Sequence, residues 1–397
     1  MQELHTLQSE LTTELNSILD WWSAHTVDHQ LGGFYGKVDN QNEAFEAPKG
    51  LVLNARILYT FSSAYLLNHQ PKYLAVATRA YHYLVDFFHD KDFGGFYWSL
   101  TPEGKPKETK KQVYGQAFCI YALTEFYKAS NHIAALQLAE QTYLLLELHS
   151  YDEIFTGYIE AHNRNWQTID DLRLSEKDQN DKKSMNTHLH VIEAYANLYT
   201  VSTNATVKPA IKKLLFNFKK HIICRETGHL QLFFDMDWKV KSSLVSYGHD
   251  IEAAWLLLEA AEVIGDEHEI ETFRSLALTM TNAAARGIQN NGGLIYELDT
   301  SNNHLIEEYH WWPQAEAMVG FFNAWQINKD QHTLQKVINI WAFVKNHIKD
   351  TKNGEWFWGV DKTLMVMDNE DKAGFWKCPY HNGRACIELI KRIQQLS

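Results

Sequence analysis

Apolar residues in the opening stretch MQELHTLQSELTTELNSILDWWSA recur three or four apart, at Leu4, Leu7, Leu11, Leu15, Ile18 and Trp22. That spacing predicts an amphipathic helix. Stretches such as PKYLAVATRAYHYLVDFFHD and DQHTLQKVINIWAFVKNHIKD repeat the pattern. Each is followed by a glycine with aromatic or apolar residues, in LGGFYG, FGGFYW, TGYIE, TGHLQLFF, GGLIYE and NGEWFW. A second, more apolar helical stretch comes next, as in LVLNARILYTFSSAYLL, YGQAFCIYALTEFY and YGHDIEAAWLLLEA. With Gly33, Gly95, Gly157, Gly228, Gly293 and Gly354 as anchors, the intervals are 62, 62, 71, 65 and 61 residues. Five near-equal intervals define a repeat of helix, glycine-aromatic hairpin and helix, present six times.

Twelve helices in six antiparallel pairs can stack as an open solenoid or close into a ring. The apolar second helices suit elements covered on most sides, and the end units carry no polar capping face. The expected fold is therefore all-α, an (α/α)6 barrel in which residues 1–397 form a single catalytic domain. The second helices open with polar residues in phase with the repeat: Asn54, Gln116, Asn186, Asp250, Gln314 and Asn382. In a ring these six N-termini lie at one end, where a pocket is expected. Helix N-termini there supply unpaired N–H groups and partial positive charge.

The chain has 397 residues, 45% of them apolar, which excludes disorder as the main state. Its 37 Lys and Arg against 49 Asp and Glu give a net charge of −12, which argues against nucleic acid or an anionic membrane as partner. No run approaches the ~18 apolar residues that span a bilayer, and the first 24 residues lack the pattern of a signal peptide. Cys119, Cys224, Cys378 and Cys386 fall in no CxxC pair, so a reduced, cytoplasmic protein is expected.

The 13 Trp and 20 His residues change the picture more. His25, His89, His149, His221 and His347 end first helices, where an imidazole can satisfy the last carbonyls. His190, His249 and His381 instead fall at the converging end, with Arg56, Tyr114, Glu252, Trp311, Trp312, Glu316, Trp376 and Arg384. His188 and His190 are two apart and cannot both face inward, so one is structural. His249 and Glu252 share a helix face, as a core pair or a catalytic one. Trp beside Arg, Asn and Glu suits carbohydrate, and histidines over an apolar floor suit proton abstraction α to a carbonyl. No HExxH or cysteine cluster supports a metal, and no GxGxxG or P-loop supports a nucleotide. No cofactor is expected.

The segments APKGLVLNARILYTF, KQVYGQAF, SMNTHLHVIEAYANLY, VSYGHDIEAAWLLLEA, HWWPQAEAMVGF and GFWKCPYHNGRAC run in order along the chain. Together they resemble the cellobiose 2-epimerases of the N-acylglucosamine 2-epimerase superfamily. The resemblance implies an (α/α)6 barrel that epimerises C2 of the reducing-end sugar in β-1,4-linked disaccharides. The implied route is ring opening, a cis-enediol and reprotonation on the other face. It also implies roles: His249 and His381 as the acid/base pair, His190 in ring opening, and Glu252 orienting His249. Arg56 would bind the C1 and C2 oxygens. Tyr114, Asn186, Trp312, Trp376 and, in the loop LSEKD, Ser175 and Asp178 would contact the sugars. Cys378 stands where the motif has Gly, and Gly115 where Ala is common. A monomer is expected, a homodimer being compatible with it. The alternatives are a mannobiose 2-epimerase, an aldose–ketose isomerase, an inverting glycoside hydrolase using Glu252 and Glu316, and a non-catalytic sugar-binding protein.

Overall fold

Two-residue turns set the helix pairing. In the computed structural model, which describes residues 2–176 and 178–396, α2 (Leu51–Asn68) ends on His69 in the left-handed region (φ 55°), whose N–H caps the Tyr65 carbonyl. The chain then enters α3 (Pro71–Tyr83) at once. Asn131, Gly265 and Lys329 make the same left-handed stop. They join α4 (Val113–Ser130) to α5 (Ile133–His149), α8 (Tyr247–Ile264) to α9 (Glu267–Ala284), and α10 (Trp311–Asn328) to α11 (Gln331–Phe343). A longer link joins α6 (Met185–Tyr199) to α7 (Val207–Asn217).

Among the odd-numbered helices, each even-numbered one therefore packs most closely on the one that follows it. The sequence repeat had placed the pair the other way round, across the hairpin. The short turns decide the matter, because a two-residue link leaves no reach to any other neighbour. The remaining partners meet across the chain ends: α1 (Gln2–His25) packs on α12 (Tyr380–Gln394). The even helices form an inner ring in the order α2, α4, α6, α8, α10, α12, with α12 closing against α2. The closed (α/α)6 barrel expected from the repeat is the fold observed.

The six hairpins all form, through single bridges from Val27 to Phe34, His89 to Phe96, Tyr151 to Tyr158, Ile223 to Leu230, Ile288 to Leu294 and Lys349 to Trp356. Five anchor glycines have positive φ; in the fifth unit Gly292 takes that role in place of Gly293. A crown of short antiparallel ladders links the units. The strand entering each inner helix pairs with the strand that follows the next hairpin, as in Lys111–Gln112 with Ala161–His162. A bridge from Val38 to Ala373 closes the circle.

Polar residues in the first turns of the inner helices clamp these hairpins. Gln116 accepts from the Phe96 N–H at 2.8 Å and donates to its carbonyl at 2.9 Å. Gln314 does the same for Leu294, and Asp250 accepts from the Leu230 N–H. In the third unit the clamp is His188, whose Nε2 accepts from the Tyr158 N–H at 2.8 Å. The repeat had put Asn186 in this series. The link ahead of α6 is longer than its counterparts, which shifts the register by two residues. The polar ring thus holds the crown together.

Buried ion pairs reinforce the crown. Lys49–Asp28, Lys111–Asp90, Lys183–Asp152 and Lys372–Asp350 join the segment before an inner helix to the start of a hairpin. Two of the helix-end histidines stack on tryptophans, His149 on Trp166 and His221 on Trp238, a role the sequence had assigned to carbonyl capping.

Candidate active site

Two residues beyond each clamp the inner helices point at the barrel axis, because a helix advances about 200° in two residues. This layer consists of Arg56, Phe118, His190, Glu252, Glu316 and Arg384, all buried except for their access to the site. Above it, in the first turns, stand Tyr114, Asn186, His249, Trp312 and His381.

Arg384 is the hub. Its guanidinium donates to Glu252 at 2.9 Å, to Glu316 at 2.6 Å, and to Glu193. Nδ1 of His381 is hydrogen-bonded to Glu316 at 2.6 Å, and Nδ1 of His190 to Glu193 at 2.9 Å. A continuous run of charge-assisted hydrogen bonds therefore joins two imidazoles through one arginine. One oxygen each from Glu252 and Glu316 and a ring nitrogen of His381 lie within 4.8 Å of one another, a grouping capable of holding a metal ion. The Arg384 guanidinium, bonded to both carboxylates, already supplies positive charge there. Beneath this layer a cavity of about 140 Å³ is lined by Glu193, Arg384, Tyr59, Tyr121 and residues near the far ends of the inner helices.

His249 and His381 approach the same ring, Trp312, with centroids at 4.6 and 5.6 Å. Nδ1 of His249 is bonded to Ser246 Oγ at 2.8 Å. Glu252, expected to orient His249, faces Arg384 instead and lies 3.9 Å from Nδ1 of His381. The reason is the helix phase: Glu252 belongs to the axis layer, whereas His249 leads the clamp Asp250. Arg56 donates to Tyr114 Oη at 2.7 Å and lies over the rings of Phe118 and Tyr380. Its Nε, and Oδ1 of Asn186, are buried without a hydrogen-bond partner. Such groups cost about 1–3 kcal/mol each, so a hydroxyl-bearing ligand that satisfied them would gain by it. Trp376 packs with Trp98, Phe375 and Tyr114, while Tyr296 packs at a tilt on His310 and meets Trp312 edge-on.

The N-acylglucosamine 2-epimerase (GlcNAc 2-epimerase) family model matches residues 33–385. The chain belongs to this family. A cellobiose 2-epimerase of Bacteroides fragilis is 47% identical over 97% of both chains. The solved cellobiose 2-epimerase of Spirochaeta thermophila is 37% identical, with a TM-score of 0.94 over 100% of this chain and 98% of that one. A solved D-mannose isomerase, 21% identical over 97% of both chains, shares the fold with a TM-score of 0.83.

Within this epimerase-family barrel, the first-turn and axis residues read from the sequence come together at one end: His190, His249, His381, Arg56, Tyr114, Asn186, Glu252 and Trp312. Trp376 joins them through Tyr114. Ser175 and Asp178 do so less directly. The Ser175 hydroxyl and N–H both bond Asp178 Oδ2, while Asp178 shares a small cavity with Asn186. Sequence reasoning missed Glu193, Ser246 and Tyr380, and noted Arg384 without a role. The clamp-plus-two phase would have found Arg384. Glu193 could have been suspected from its place one turn after His190. Gly115 has a packing reason: a Cβ there would meet Leu51 at 2.9 Å and Trp98 at 3.1 Å.

Burial dominates the electrostatics. It pushes the His249 imidazole down to about 3, with His190 adding to the effect. It likewise holds His381 well below the usual histidine range, helped by Arg56 and Arg384. Both rings are thus neutral in the free protein, and lowering the pH through the ordinary value of about 6.5 does not charge them. In 1H–15N spectra, neither ring should titrate between about pH 8 and pH 6. A midpoint near 6.5 for either ring would contradict this environment.

Proposed function

We propose that the protein is a carbohydrate C2 epimerase acting on the reducing-end sugar of β-1,4-linked disaccharides, cellobiose and lactose among them. The observation that carries this reading is the pair of neutral imidazoles, His249 and His381, set against one tryptophan ring beside a buried arginine. The relatives named cellobiose 2-epimerase support the disaccharide.

After ring opening assisted by His190, one imidazole takes the proton from C2. Arg56, which remains charged, stabilises the negative oxygen of the enediolate. The other imidazole returns a proton to the opposite face, which inverts the stereocentre. Burial and then the neighbouring Glu316 push the Glu252 carboxyl up. His381, with Nδ1 bonded to Glu316, takes the proton at Nε2 and becomes an imidazolium held against that carboxylate, while His249 must carry a proton in the sugar complex to return one, ending the step neutral. Asn186 and Tyr114 hold hydroxyls, and Trp312 and Trp376 offer ring faces to the sugars. Ser175 and Asp178 would reach the disaccharide by exchanging their mutual hydrogen bond for it. The same reading takes residues 1–397 as one catalytic domain, working as a monomer in the cytoplasm, where the four unpaired cysteines stay reduced.

An inverting hydrolase fits less well. It needs carboxylates roughly 6.5–9.5 Å apart, whereas oxygens of Glu252 and Glu316 lie within 4.8 Å and both accept from Arg384. NMR of cellobiose, mannobiose and lactose with the enzyme in D2O tests the proposal. Deuterium at C2 and a C2-epimeric disaccharide are expected. Free glucose would mean hydrolysis, accumulation of a ketose would mean an aldose–ketose isomerase, and no change would mean a binding protein.

A further inference from the structure

Glu193 is a buried carboxylate one helical turn beyond His190, on the same face of α6. Its Oε2 lies 2.9 Å from Nδ1 of His190. Its Oε1 accepts from the Tyr380 hydroxyl at 2.5 Å and from Arg384. Arg384, His190 and Tyr380 outweigh burial and hold the Glu193 carboxyl below its ordinary range. An ionised carboxylate only accepts hydrogen bonds, so the proton between the two side chains sits on Nδ1.

We propose that Glu193 is a positioning residue that holds His190 as the Nδ1–H tautomer, leaving Nε2 as a standing proton acceptor for the sugar hydroxyl during ring opening. This rests on the epimerase reading for its consequence, though not for the tautomer itself. The aromatic walls add to the constraint: Tyr114 meets the imidazole edge-on at 5.0 Å and Phe118 lies at 4.6 Å, so the ring has little freedom to turn over.

Glu193→Gln makes a specific test. Arg384 has only donors to offer, so it and the Tyr380 hydroxyl retain the amide oxygen. The amide NH2 is then left facing Nδ1 of His190. Nδ1 must become the acceptor, and the proton moves to Nε2, which turns the sugar-facing atom from acceptor into donor. The substitution preserves shape and removes the charge.

The tautomer is read by long-range 1H–15N NMR on substrate-free protein, with the His190 signals assigned from their loss in His190→Gln. Wild type is expected to show Nδ1–H, and Glu193→Gln to show Nε2–H. The variant should lose about 10²-fold in kcat with KM within about threefold. Its catalysis of anomer exchange, which reports ring opening, should fall in step. Nε2–H in the wild-type protein overturns the proposal even if the variant does not fold. An unchanged kcat in a folded Glu193→Gln overturns it as well. A wild-type chain that shows no C2 exchange would defeat the functional reading alone, because the tautomer is measured without substrate.

Discussion

His381→Asn is expected to lower C2 exchange by about 10³–10⁴-fold, the upper part of the range for losing a positioned acid/base group, while the thermal midpoint moves little. Asn retains polarity in the first turn of α12 and can still face Glu316, but it has no ring nitrogen to take or return a proton. His249→Asn should show a comparable loss. The two variants differ in their surroundings: His381 is backed by Glu316 at 2.6 Å and His249 by the Ser246 hydroxyl at 2.8 Å. Deuterium incorporation at C2, followed by NMR with circular dichroism as the control for folding, checks the expectation. Near-normal exchange in either variant would show that the stereocentre is not inverted between these two imidazoles.

The second large effect is on stability. Arg384→Met should destabilise the fold by about 3–5 kcal/mol, as for a buried pair broken from one side. The arginine is 1% exposed and donates to three buried carboxylates, Glu193, Glu252 and Glu316. Removing the single cation leaves those acids facing one another, and they must take up protons or draw in water. Arg384→Lys retains the charge but not the planar fork that spans three partners, so it should lie between Met and wild type. Urea unfolding midpoints at pH 7 rank the three proteins. The loss in the Met variant should shrink at lower pH, where the carboxylates protonate in both states and the missing charge matters less. A Met variant as stable as wild type would mean that the network contributes no net stability.

Much of the fold was legible because its signals are local and repeated. The interval between glycine hairpins, the apolar character of the second helices and the residues that can adopt positive φ are properties of short segments. They recur six times, so chance matches average out. What misled was phase. Asn186 looks like a member of the polar series, yet the longer link before α6 moves the clamp to His188. No count along the chain distinguishes a hydrogen bond to a hairpin from one to a sugar. The role of Glu252 was misplaced for a related reason. Sharing a helix face with His249 brings two side chains near each other, but Arg384, from a helix 132 residues away in sequence, competes for the carboxylate and takes it.

The sequence by itself therefore determined the repeat, the all-α ring and the end of the barrel at which the proposed site residues gather, because each rests on periodicity and on short-range preferences of the backbone. Only the tertiary structure decided which acid backs His381 and which acids Arg384 gathers. His381 meets Glu316 65 positions away and Arg384 meets Glu193 191 positions away, contacts that exist because α12 closes against α2 and brings Arg384 onto the axis. Charge pairing in a water-free core is chosen by distance among all groups present, and that distance is a property of the closed ring.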